Sequence, residues 1–102
     1  MQELLKKTLA CYSKGPSRYY RIPGIVVTAK GTIIVYFEMR LSSSDWSTRA
    51  IGMRRSVDNG ETWSPLEIIA TTDSEVAVNN PVMIASKDGT VYFMWEENYN
   101  FG

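Results

Sequence analysis

Arg21, Arg40 and Asp45 are the residues of this chain whose types and spacing could do chemistry. An arginine carries a permanent charge on a planar fork, and that fork can grip a carboxylate with two parallel charge-assisted bonds. Arg21 stands in Tyr19-Tyr20-Arg21-Ile22-Pro23, two residues before a proline whose fixed φ stiffens the backbone. Nineteen residues on comes Glu38-Met39-Arg40, and five after that Asp45. Each residue has a plainer reading. Arg21 could be a surface charge ahead of a strand, and Arg40 a solvated charge at a strand end. Asp45 beside serines and Trp46 could be a turn former.

Other chemistries are closed by composition. The chain has no histidine, which removes the Ser-His-Asp and Cys-His schemes and the commonest zinc ligands. The single Cys11 cannot form an internal disulfide and reads as a small apolar residue. Eleven basic and eleven acidic residues cancel, so no overall field draws nucleic acid or an anionic membrane. No apolar run approaches the roughly 20 residues of a membrane span. Met1 to Tyr12 has two lysines but lacks the long apolar core and small-residue cleavage site of a secretory signal.

The elements that would position these residues read as β throughout. Gly24–Thr28 is short and rich in β-branched residues, and Ala29-Lys30-Gly31 supplies a turn. Thr32–Arg40 is a longer strand, apolar on both faces until its end, as suits a stacked or radial sheet. Leu41–Ser47 is a serine-rich loop. Ala50–Ser56 and Leu66–Ala70 are a third and a fourth strand. Gln2–Leu9 could form a helical turn or two, Leu9–Tyr12 could equally be a strand, and Gly15-Pro16-Ser17 breaks whatever precedes it.

The pattern then restarts: a strand Pro81–Ser86 leads to the turn Lys87-Asp88-Gly89 and then to a strand Thr90–Trp95. Aligning Pro23 with Pro81 pairs Gly31 with Gly89, Thr32 with Thr90 and Glu38 with Glu96, without a gap. A period near 50 with four strands in each unit is the signature of propeller blades. An immunoglobulin-like sandwich also has many short strands but predicts no such repeat. Propellers have typically 4–8 blades, so one unit and half of a second would be part of a larger fold.

Ser56-Val57-Asp58-Asn59-Gly60-Glu61-Thr62-Trp63 has the residues of a tight turn. Asp58 can accept backbone N–H groups, and Gly60 can take positive φ. Ser56 and Thr62 can close the loop, with Trp63 packed beneath it. Taken with Arg21-Ile22-Pro23, this stretch resembles the opening of the sialidase family, whose Ser-x-Asp-x-Gly-x-Thr-Trp turn is called an Asp-box. The likeness covers roughly residues 16–97: Tyr-Arg-Ile-Pro, a strand pair, Glu-x-Arg, a loop Asp, then Arg54-Arg55-Ser56 into the box.

The resemblance implies an all-β, sialidase-type β-propeller, here the first blade and part of the second. Residues 1–15 form an N-terminal segment and 16–102 the partial propeller. Blade one covers about 20–70, and blade two starts at about 78–102. It implies an exo-α-sialidase that removes terminal sialic acid from glycans with retention, without cofactor or metal. Arg21 matches one of three arginines that bind the sialic carboxylate, and Arg40 a second inward arginine beside the sugar ring. Asp45 matches the acid/base residue, and Asn80 a substrate contact, although Asn-Pro is also a routine turn signal. Asp58 belongs to the structural box, away from the catalytic centre. Sialidases use a tyrosine nucleophile. That tyrosine, its glutamate partner and two further arginines lie beyond the matched region, so this segment is expected to be inactive alone. The alternative is a non-catalytic Asp-box propeller that binds carbohydrate or protein.

Overall fold

The computed structural model describes residues 19–72 and 76–99. The expected segment 1–15, with Cys11, lies outside them. Six strands appear in chain order: β1 (Tyr19–Val27), β2 (Ile33–Arg40), β3 (Thr48–Ser56), β4 (Glu67–Thr71), β5 (Val76–Ala85) and β6 (Val91–Tyr99). A short 3₁₀ turn, η1 (Asp45–Ser47), precedes β3. Strands β1 to β4 form one antiparallel sheet in sequence order, and β5 pairs with β6 in a second. The architecture is all-β and not closed, as expected of part of a β-propeller.

The two hairpins share one construction. Arg21 pairs with Glu38, the register then shifts, and Gly24 pairs with Tyr36. In the second hairpin Asn79 pairs with Glu96, the register shifts, and Val82 pairs with Met94. Each shift contains an X-Pro step, and each X is left-handed, Ile22 at φ 54° and Asn80 at φ 54°. A bulge of this kind bends the strand and re-aims its side chains. The turns agree as well. Gly31 and Gly89 have φ of 89° and 95°, and each donates its N–H to the residue three before, Thr28 or Ser86. The repeat read from four identities thus extends to register, bulge and turn.

Alternation along the strands places the core between the sheets. Ile34, Tyr36 and Met53 of the first sheet meet Met83 of the second, flanked by Val26, Ile69, Val91 and Phe93. Gly24 is required there. A Cβ at that position would sit inside the Tyr36 ring, whose hydroxyl accepts the Met83 N–H at 3.2 Å. The face of β5–β6 turned away from this core carries Val82, Ile84, Tyr92 and Met94, each 43–55% exposed.

The turn after β3 closes on itself. Ser56 Oγ accepts the Gly60 N–H at 2.8 Å and donates to Asp58 Oδ1 at 2.7 Å. Asp58 also accepts the Thr62 N–H at 2.9 Å and the Thr62 hydroxyl. Asn59 and Gly60 take positive φ, and Trp63 Nε1 donates to the Gly60 carbonyl at 3.1 Å. Bonds from the Thr62 hydroxyl, the Thr62 N–H and Ser56 favour the charged carboxylate and hold the Asp58 pKa down at about 2.

Two expectations move. The Tyr19–Pro23 stretch lies within β1 rather than ahead of a strand, and β5 begins at Val76 rather than at Pro81. The bulges are the reason. Proline removes one ladder donor, and the extra residue lets pairing resume beyond it.

Candidate functional site

Glu38 is the centre of the site. It lies on β2 between Arg21 of β1 and Ile51 of β3, and it is fully buried. Arg40, two residues on and on the same face, donates from Nε at 2.8 Å and from Nη2 at 2.6 Å to Glu38 Oε1. Thr48 Oγ1 donates to the same oxygen at 3.0 Å. The other oxygen, Oε2, accepts the backbone N–H of Asn80 at 2.7 Å.

A buried ion pair holds its place only when further hydrogen bonds offset the desolvation of both charges. Here four donors converge on one carboxylate. They fix the Arg40 guanidinium, which is almost wholly buried, and they tie β2 of the first sheet to the β5 bulge of the second.

The loop before β3 is held by its serines. Ser47 Oγ donates to the carbonyls of Ser42 at 2.8 Å and Ser44 at 2.6 Å, and it accepts the Ser42 N–H at 3.2 Å. Ser44 caps η1 by accepting the Trp46 N–H at 3.2 Å. A loop bonded in this way presents Trp46 at a fixed place beside Arg40.

These elements enclose a cleft of about 350 Å³. Its first wall is Ile22, Glu38, Arg40 and Trp46, and its second is Asn79, Asn80 and Asn98. Both left-handed bulge residues, Ile22 and Asn80, therefore border the cleft. The repeat explains its two-sided character. The positions of Arg21 and Arg40 in the first hairpin are held by Asn79 and Asn98 in the second. One wall is ionic with its charges paired, and the other is built of amides.

The structure brings Arg40 and Asn80 together, joined through Glu38. Arg21 sits opposite Glu38 in register and next to the lining residue Ile22, but it is exposed and does not line the cleft. Asp45 is the first residue of η1, and its side chain lies outside the described atoms. Ser56, Asp58, Gly60, Thr62 and Trp63 form the turn at the other end of β3, away from the cleft.

Sequence reasoning gave no role to Glu38, Thr48, Asn79 or Asn98. The repeat alignment held a usable signal for the two asparagines, because it maps them onto the arginines. No such signal marks Thr48. Among the described residues no cluster of three acidic, His or Cys side chains could hold a metal ion, and no helix is long and apolar enough to cross a membrane.

No protein-family model matches the chain. It is similar to a protein named Sialidase from Bacteroides fragilis (strain YCH46), with 39% identity over 54 residues. That match covers 51% of this chain and 10% of the relative, so it spans about a tenth of the relative's length. It supports a sialidase-like relationship.

Proposed function

We propose that this segment supplies part of the substrate site of an exo-α-sialidase, a glycoside hydrolase that releases terminal sialic acid from sialylated glycans with retention. The observation that carries the reading is the Arg40–Glu38–Asn80 assembly. The arginine of the Glu-x-Arg motif lies in a cleft that is also lined by Trp46 of η1, the turn that begins at Asp45. The partial similarity to a sialidase points the same way.

In this account Arg21 binds the sialic carboxylate, for which an exposed guanidinium is the right partner. Arg40, rigid and paired, contacts the hydroxyl side of the ring, and Asn80 makes a further polar contact. Asp45 protonates the glycosidic oxygen as it leaves. It then takes a proton from the water that attacks the glycosyl-enzyme, which returns the acid to its starting state. The nucleophilic tyrosine, its glutamate partner and two more arginines are assigned to residues beyond the matched region, so residues 1–102 alone are inactive.

The propeller reading is favoured by the open faces. Val26, Ile34 and Tyr36 of the first hairpin are covered by the second sheet. The equivalent positions Ile84, Tyr92 and Met94 are exposed, as the next blade would require.

The test is Asp45→Ala in the full-length polypeptide. Turnover of a natural sialoside falls by about 10²–10⁴-fold, and turnover of an activated aryl sialoside falls much less, because its leaving group needs little protonation. Near-normal turnover of the natural substrate removes Asp45 from the mechanism. Sugar binding by the native protein without any hydrolysis moves the protein to the non-catalytic alternative.

A further inference from the structure

Trp46 differs from the other members of its wall of the cleft. Glu38 and Arg40 are the buried members, at 0% and 2% exposure, and Trp46 is 44% exposed. A single exposed aromatic is ordinary on a protein surface. This one lines a cleft, on a turn whose backbone is pinned on both sides of it. Its N–H donates to Ser44 Oγ at 3.2 Å, and its carbonyl accepts Arg49 Nη1 at 2.9 Å.

The fold makes little use of the indole itself. Trp63 Nε1 donates to the Gly60 carbonyl at 3.1 Å, and the Trp95 ring lies 4.8 Å from that of Phe93. The Trp46 indole has no such hydrogen bond or ring contact with another described residue, and it stands outside the core cluster. A rigid turn thus holds a large aromatic side chain at the cleft with its ring available.

We propose that Trp46 is the platform for the aglycone, the sugar to which the terminal sialic acid is attached: its indole stacks against the C–H face of that pyranose. This rests on the sialidase reading. An exo-acting enzyme takes the terminal sugar inside and leaves the rest of the glycan at the mouth, where the lining residues are exposed. The exposed apolar residues of this cleft are Trp46 and Ile22, at 44% and 40%. A pyranose has C–H groups on its faces and hydroxyls at its edge. A rigid aromatic ring covers such a face at small entropic cost, and the indole N–H remains to meet a hydroxyl. Chain order sets the side. Trp46 follows Asp45 in η1, so its Cα lies about 3.8 Å from that of the residue assigned to protonate the departing oxygen. Trp46 is therefore a specificity-determining residue for what the sialic acid is released from, and it takes no part in the chemical step.

The test uses the full-length polypeptide, native and as Trp46→Ala and Trp46→Phe. The substrates are sialyllactose, whose aglycone begins with a galactose, and methyl α-sialoside, whose aglycone has no ring. Released sialic acid gives kcat/KM for each, and thermal melting checks the fold. Trp46→Ala lowers kcat/KM for sialyllactose about tenfold and changes that for methyl α-sialoside by less than about twofold. Trp46→Phe recovers most of the loss, because a second aromatic face replaces the first. Both variants keep the native melting temperature, as substitutions at an exposed residue do.

An equal fall on the two substrates, or no fall on either, overturns the proposal and leaves the sialidase reading intact. A lowered melting temperature of Trp46→Ala also overturns it, because the indole then serves the fold. Failure of the native protein to release sialic acid from either substrate overturns the sialidase reading and this inference with it.

Discussion

Glu38 Oε2 accepts the backbone N–H of Asn80 at 2.7 Å, across 42 residues of chain and between two sheets. The same carboxylate holds Arg40 through its other oxygen. A single buried side chain therefore sets the guanidinium and the opposite wall of the cleft at once. Removing it takes a directly bonded carboxylate away from the buried Arg40 guanidinium. Glu38→Ala is expected to lower stability by about 3–5 kcal/mol, and Glu38→Leu combined with Arg40→Met to recover most of that loss. Chemical denaturation of the full-length polypeptide measures both. A loss below about 1 kcal/mol for Glu38→Ala would mean that the pair does not hold the sheets together.

Ile22 is a β-branched residue in a left-handed conformation, at φ 54°, and is 40% exposed. The crowded Cβ makes that conformation costly, and asparagine tolerates it better. Ile22→Asn is expected to raise stability by about 0.5–1 kcal/mol, seen as a higher melting temperature. Asn80→Ile at the same φ is expected to lower it, and also to lose the bond to Glu96. Opposite signs at both positions would contradict the strain assigned to the two bulges.

Asp58 gives the fold an acid-sensitive part. Its pKa is about 2 in the folded chain against an ordinary 3.8. A depressed carboxylate stabilises the fold above its unfolded value, and that contribution is lost as pH falls through the folded value. Asp88 is lowered as well, by the Ser86 hydroxyl and the Thr90 N–H, and adds to the same limb. The melting temperature of the native protein should drop between about pH 4 and about pH 2. Asp58→Asn should start lower at neutral pH and show a shallower acid limb. Parallel curves for native and variant would show that the turn does not favour the charged carboxylate.

Much of this was legible in the sequence, for physical reasons. Strand β2 was read as Thr32–Arg40 and spans Ile33–Arg40, because a long apolar β-branched run has few alternatives. The turn at Ser56–Trp63 was legible because all its bonds are local. Strands β1 and β5 were drawn short. Proline ends a regular ladder, and the sequence does not show that a left-handed residue ahead of it carries pairing past the gap. Of the residues that line the cleft, Arg40 and Asn80 are the two that the motifs single out. Their link through Glu38 was not legible, since a carboxylate beside an arginine also reads as an exposed pair. The place of Trp46 was hidden because the cleft it lines exists only once the two sheets have packed.

The most direct measurement follows the axial and equatorial C3 proton signals, which differ between the two anomers, of the sialic acid released from a natural sialoside by the full-length polypeptide, using NMR. The account predicts release of sialic acid, with the α-anomer appearing first and mutarotating afterwards, and loss of that release in Arg21→Ala. No release, or the β-anomer as first product, would contradict it.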